Sequence, residues 1–386
     1  MTTPDLLDPV PLLESLIACP SVTPEEAGVL SVLEEALVRL GFKVTRLTFD
    51  GDDSYAVDNL FAIRGSGGGR LLFAGHTDVV PPGDRALWTA DPFTPRQADG
   101  RLYGRGAADM KSGIAAFVAA AANIPAEAGT VMLAITNDEE ADAINGTDKL
   151  LAWMAEQGHG FDFAVVGEPS SAALLGDSIK IGRRGSFSGQ ITVTGTQGHV
   201  AYPDKANNPL PVLARVVTAL DVEMDKGTEH FPATNLEVTT IDVGNPVSNV
   251  IPASGTLRFN IRYNDLWTPE TLSEWIQQRI VTVDAAGAEI MFETVGTPSH
   301  AFLSPLSDDV ATLSGAIEAV TGRRPEYSTG GGTSDARFVA RYGPVVECGL
   351  VGTSMHKADE HIALADLEGL TAIYCTFMQR FFESRA

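Results

Sequence analysis

The sequence predicts an α/β protein: a mixed, mostly parallel sheet with helices on both faces, interrupted by an inserted ferredoxin-like α+β domain. Three observations lead there. Short apolar runs alternate with helical stretches through the first half, the pattern of strands joined by crossover helices. From about Gly182 the order becomes strand, helix, strand, strand, helix, strand, which is the ferredoxin-like arrangement. The chain then returns to helix and loop. Its 386 residues suit two domains of ordinary size. The expected division is 1–181 with 295–386 for the larger domain and 182–294 for the inserted one.

Each element follows from local chemistry. The first clear helix is expected from Thr23-Pro24-Glu25-Glu26, where Thr23 caps, Pro24 suits the first position and Glu26 completes a capping box. Val29, Leu30, Leu33, Leu37 and Leu40 follow at helical spacing, and Gly41 ends the run. The apolar runs 70–74, 130–136, 163–166 and 345–351 read as buried strands, with helices over 112–124 and 147–157. The inserted segment reads as strands at 185–196, 234–243, 255–264 and 288–295, with helices at 208–225 and 269–282. A helix over 307–321, a glycine turn at 330–332 and a last helix over 366–382 close the pattern.

Composition narrows the partners. Lys plus Arg is 27 against 50 for Asp plus Glu, a net charge of −23. Such a surface repels phosphate backbones and anionic lipid, so neither nucleic acid nor a membrane surface is an expected partner. The three cysteines are far apart and form no C-x-x-C, which points to a reducing compartment without a disulfide framework. The N-terminus lacks a basic region followed by an apolar run. The apolar stretch 114–122 is far short of the roughly 20 residues that span a bilayer. A cytoplasmic soluble protein is expected.

Ligands of open α/β sheets bind beyond the carboxyl ends of the strands. There the sequence places His76-Thr77-Asp78, Asn137-Asp138-Glu139-Glu140, Glu168 and, after a short loop, His356; Asp109 is expected to open the helix that begins Asp-Met-Lys-Ser-Gly. Singly, each has an ordinary reading: a loop histidine, a helix cap, an acidic turn. Together at strand ends, the carboxylates would repel one another and need a cation. Imidazole nitrogens with carboxylate oxygens and no thiolate suit zinc, with cobalt or manganese possible. Five ligands exceed one tetrahedral ion but suit two ions sharing a carboxylate, and such a centre implies hydrolysis by an activated water. Asp78 is placed to orient the His76 ring. Of the adjacent Glu139 and Glu140, one would bind metal and the other serve as a base.

Gly75-His76-Thr77-Asp78-Val79-Val80-Pro81, Trp88 with Asp91-Pro92-Phe93, and the run from Asp99 to Gly113 that contains Gly104-Arg105-Gly106-Ala107-Ala108-Asp109 resemble the di-zinc metallopeptidase and amidohydrolase family. That likeness runs nearly end to end. It implies a zinc-peptidase-like catalytic domain with two Zn²⁺ per subunit (Co²⁺ a possible substitute), and an inserted domain that forms a homodimer and serves as a lid. Arg183-Arg184-Gly185-Ser186, the stretch from Gly198-His199 to Tyr202-Pro203, Ser248-Asn249-Val250-Ile251-Pro252, the run from Gly331 to Arg337 and His356-Lys357 look like the family's desuccinylase branch. Ala358-Asp359 stands where the family often has Val-Asn, and His361 is a rival to His356, although the His-Lys-x-x-Glu context favours His356.

By that resemblance His76 and Glu168 bind one zinc, Glu140 and His356 the other, and Asp109 bridges them, often with a cis peptide after it. Glu139 is the implied general base, and His199 the oxyanion donor, reaching in from a partner subunit. The branch's substrate carries three carboxylates and one free amine. Arg183, Arg184 and Arg262 suit those carboxylates through guanidinium forks. Tyr202, Asn249 and Thr333 can add hydrogen bonds, and Gly332 in the glycine turn lets backbone N–H groups approach a ligand. The rival readings are another acyl-amino-acid amidohydrolase of the family and a non-catalytic binding relative. The second would show a missing ligand or base, and none is missing.

Overall fold

In the computed structural model, which describes residues 7–386, the strand Arg70–His76 is buried from its second residue onward. The strands Thr130–Thr136 and Phe163–Val166 are buried throughout. Uninterrupted burial of this kind means a sheet covered on both faces. Alternate residues serve opposite layers. Leu71, Phe73, Leu133, Ile135, Phe163 and Val165 join one core with residues of the helices Pro9–Ile17, Val29–Arg39, Ser112–Ala122, Asp308–Thr321 and Leu364–Glu383. The intervening side chains face the other layer, where the helix Thr147–Glu156 packs on the sheet.

The eight strands run in the order Lys43–Gly51, Ser54–Arg64, Thr130–Thr136, Arg70–His76, Phe163–Val166, Val345–Glu347, Ser178–Lys180 and Glu326–Ser328. Four of the seven pairings are parallel and three antiparallel, so the sheet is mixed with a parallel centre. Among the described residues this larger unit comprises 7–181, 304–328 and 334–386, and the second unit 182–303 and 329–333. The second unit ends later than the sequence pattern suggested, because its last long strand, Glu289–Ser299, runs across the expected boundary at 294. Its four-stranded antiparallel sheet has the order Asn235–Asp242, Ser254–Tyr263, Gly185–Thr194, Glu289–Ser299. With the helices Leu210–Leu220 and Pro269–Val281 this is the ferredoxin-like arrangement. Gly185–Thr194 alternates buried and half-buried residues, as a sheet covered on one face requires.

Several expectations need correction. The helix expected from Thr23 begins at Val29, after Gly28 in the left-handed region (φ 86°). The Glu26 carboxylate accepts the N–H groups of Gly28 and Leu30 there. Thr23 is released for another task, described below. The expected strand 345–351 is regular only over Val345–Glu347. Two features escaped the periodicity: the short helix Pro9–Ile17, capped by Asp8, and the edge hairpin Lys43–Gly51 with Ser54–Arg64. The three cysteines are free thiols. Among the described residues no helix is long and apolar enough to cross a membrane.

Aromatic packing locks the helix that follows Asp109 onto the sheet. The Phe117 ring lies 4.3 Å from that of Phe73 and 5.7 Å from that of Tyr374, and all three residues are buried. Phe117→Ala is expected to destabilise the larger unit by about 3–5 kcal/mol, read as a lower urea midpoint.

Candidate metal centre

His76 ends its strand, Glu139 and Glu140 follow Thr130–Thr136, and Glu168 follows Phe163–Val166. These three strands are adjacent, so residues distant in the chain meet at one sheet end. Asp109 comes from the segment before the helix Ser112–Ala122. It does not open that helix, as the sequence suggested: its backbone is extended (φ −123°, ψ 104°), and the peptide bond to Met110 is cis. Gly113 lets the helix approach, since a Cβ there would lie 2.4 Å from the Gly167 carbonyl oxygen.

His76 Nε2 lies 3.4 Å from Asp109 Oδ1 and 3.4 Å from Glu168 Oε1. His356 Nε2 lies 3.2 Å from Asp109 Oδ2 and 3.1 Å from Glu140 Oε1. In each triad the donor atoms all lie within 4.8 Å of one another, and Asp109 belongs to both. Glu139 Oε2 is 4.0 Å from His76 Nε2, beside the triads. A tetrahedral ion held at about 2.0–2.1 Å sets its donors about 3.3–3.4 Å apart, which matches the His76 distances. His76 Nε2 and Asp109 Oδ1 are also buried without a hydrogen-bond partner. Orphaned buried atoms of this kind call for a ligand, so the residues fit a metal pair. His361 stands apart, bonded to the Asp359 carbonyl and packed on the Tyr103 ring, so His356 is the histidine brought to the cluster.

Electrostatics follow from burial and crowding. Burial pushes the Glu168 carboxyl up to about 8, and the Asp109 charge adds to this. Glu139 is also raised well above the carboxylate range, chiefly by burial and against the pull of His76. Asp109 goes the other way, because the two imidazoles that face it outweigh its burial. His356 rises to about 10 through its contacts with Asp109 and Glu140. Burial would lower His76, but the carboxylates of Asp109, Asp78 and Glu168 around it raise it well above the imidazole range.

Asp78 does more than the sequence suggested. The His76 Nδ1–H donates to the Asp78 backbone carbonyl (3.0 Å), which leaves Nε2 to face the carboxylates; the Asp78 carboxylate is 3.5 Å from Nδ1. That carboxylate also accepts the Thr23 hydroxyl (2.8 Å) and the backbone N–H groups of Glu139 (3.1 Å) and Glu140 (3.0 Å). One buried group therefore sets the His76 side and both glutamates. Asp138 anchors the same turn: it accepts the Tyr55 hydroxyl and the N–H groups of Ile144 and Asn145. Sequence reasoning missed Thr23, which it used as a helix cap, and Tyr55, which lies in the unpredicted hairpin. It quoted Arg105 and Glu360 only as parts of motifs.

The remaining expected residues belong to the second unit. Arg183 is buried, and its Nη1 donates to the carbonyls of Gly332 (3.1 Å) and Gly330 (3.4 Å). Gly331 is left-handed, and a Cβ on it would lie 2.5 Å from that guanidinium. Arg184 donates to Asn235 Oδ1. Arg262 is half-buried, and its Nη1 is buried without a partner. His199 and Tyr202 are exposed with rings 5.7 Å apart, and His199 Nδ1 accepts the Ala201 N–H. Asn249 is exposed and accepts the Val200 N–H at its carbonyl. Gly332 is exposed and Thr333 half-buried.

The model of the peptidase family M20/M25/M40 matches residues 72–380. A succinyl-diaminopimelate desuccinylase of Rhodospirillum centenum is 54% identical over 383 residues, covering 97% of each chain. Another, from Methylorubrum populi, is 52% identical over 97% of this chain and 99% of its own. Among solved structures, the aminopeptidase PepT of Bacillus cereus superposes with a TM-score of 0.79 at 20% identity, over 98% of this chain and 99% of its own.

Metal ligands must shed their protons to bind. With Glu168 at about 8 and His356 at about 10, a cation entering near neutral pH displaces protons from both. Uptake is expected to release protons and to weaken as pH falls below about 10, more steeply below about 8. Calorimetry in two buffers of different ionisation enthalpy checks this, and a pH-independent affinity contradicts it.

Proposed function

The chain belongs to the M20/M25/M40 peptidase family, and we propose that it is a metal-dependent desuccinylase of diaminopimelate and lysine biosynthesis. It hydrolyses the amide of N-succinyl-L,L-2,6-diaminopimelate to succinate and L,L-diaminopimelate. The near-full-length likeness to succinyl-diaminopimelate desuccinylases supports this substrate. The observation that carries the reaction type is the pair of imidazole–carboxylate triads sharing Asp109, with Glu139 beside them.

In this reading His76 and Glu168 would hold one ion and Glu140 and His356 the other, with Asp109 serving both. Zinc, with cobalt as a substitute, would polarise the amide carbonyl and favour ionisation of water near neutral pH. Glu139 is the general base. The Asp78 carboxylate fixes its backbone, and burial places its proton affinity above that of an ordinary carboxylate, as the task requires. It takes the proton of the attacking water and returns it to the leaving amine.

The second unit's residues are proposed for recognition. Arg262 suits a substrate carboxylate best, because it keeps a buried donor without a partner. Arg183 is proposed to shape the turn that carries Gly332 and Thr333, because the carbonyls of Gly330 and Gly332 already engage its guanidinium. Tyr202 and Asn249 offer hydrogen bonds, and His199 an oxyanion donor supplied across a homodimer formed by this unit. A cytoplasmic setting accords with three free thiols.

Zinc-loaded protein is expected to release succinate from succinyl-diaminopimelate and to leave acetylornithine intact. Glu139→Gln is expected to keep two equivalents of metal and to lose about 10²–10⁴-fold in turnover. Succinate release checks the rate and elemental analysis the metal; near-normal turnover would remove Glu139 as the base.

A further inference from the structure

Outside the ligand set, one carboxylate in the larger unit is tied more closely to the metal cluster than the proposed mechanism requires. Glu360 is fully buried and lies four residues after His356. Its Oε2 accepts Arg105 Nη1 (2.5 Å) and the Gly106 N–H (3.2 Å). Its Oε1 accepts the N–H groups of Ala108 (2.8 Å) and of Asp109 itself (3.1 Å). The Glu360 carbonyl accepts the Gly104 N–H (2.9 Å). The segment that carries Asp109 is thus suspended from the segment that carries His356. The far side of the pair is closed as well, since the Arg105 guanidinium lies 5.1 Å over the buried Trp88 ring.

The two triads differ in how much they need such a tether. His76 and Glu168 leave buried central strands, so the sheet fixes them. His356 stands on an irregular loop at φ 61°, with nearly half of its side chain exposed. No strand of the eight-stranded sheet carries it; the short pairing of His361–Ala363 with Arg101–Tyr103 joins its segment to that of Asp109, and Glu360 lies at the end of that pairing nearest both ligands.

We propose that Glu360 is a positioning residue that holds Asp109 and His356 at ligand spacing and so secures the second metal position, the one Glu140 and His356 share. The inference rests on the metal-centre reading above. Glu360→Gln places an amide NH₂ against N–H donors on one side or the other, because every group facing the carboxylate is a donor.

The test titrates apo protein with Zn²⁺ against a chromophoric chelator and with Co²⁺ by visible absorption. In Glu360→Gln the second equivalent is expected to bind about 10–100-fold more weakly, the size of effect seen when a ligand's supporting partner is removed, with the first changed far less. The Co²⁺ bands of the second equivalent should shift. Turnover should fall at limiting zinc and recover partly as free zinc rises, with KM little changed. Leu313→Ala, a fully buried site on the helix Asp308–Thr321, controls for lost stability and should lower Tm while leaving both affinities intact. If Glu360→Gln fails to fold, Glu360→Asp, which keeps the charge on a shorter arm, should show a smaller loss confined to the second equivalent. Wild-type affinities in the variant, equal weakening of both equivalents, or the same selective loss in Leu313→Ala would overturn the proposal. Uptake of fewer than two equivalents by the wild type would instead defeat the metal-centre reading, and the proposal with it.

Discussion

Burying carboxylates at the end of an apolar sheet demands compensation, and most of the local architecture answers that demand. A buried charge without partners costs far more than a fold can supply. The chain answers in two ways. Asp78, Asp138 and Glu360 are satisfied by backbone N–H groups, hydroxyls and, for Glu360, a guanidinium. Asp109, Glu140 and Glu168 instead face imidazoles. The first set is structural and makes the second set possible, because each N–H donor it recruits belongs to a turn beside a candidate ligand.

The sheet supplies the remaining precision. His76 pairs with Thr136 in register, so the next residues of both strands emerge side by side. Asp78 then bridges the two turns by accepting N–H groups from Glu139 and Glu140. Beneath them Met110 fills the space that side chains at Gly75 and Gly167 would occupy, a Cβ at either lying 2.5 or 2.7 Å from its Cε. An apolar floor of this kind lowers the local dielectric, which strengthens the charge interactions above it.

The central strands were legible because complete burial leaves continuous apolar runs; 130–136 and 163–166 agree with the structure to the residue. The inserted unit was legible through its element order. The edge hairpin was not, since its first strand is half-exposed and mixes polar with apolar residues. Thr23 shows a different limit: its local signals fit a helix cap, and only the tertiary position of Asp78 redirects its hydroxyl. The polar residues at strand ends were recognisable as a set, and the resemblance assigned their roles. Glu360 could not be separated from motif background, because its partners lie about 250 residues away in the chain.

One consequence follows from the two-faced sheet. Because successive residues of Arg70–His76 and Thr130–Thr136 feed opposite layers, adding or deleting one residue inside either strand would turn every following side chain over. His76 would then point away from Glu168, and the apolar layers would exchange residues. The thirty-odd residues between His76 and Asp109 face no such restriction over most of their course. Tolerance to insertions and deletions is therefore uneven along this chain: nearly nil in the strands that present the cluster, and generous in the surface excursions between them.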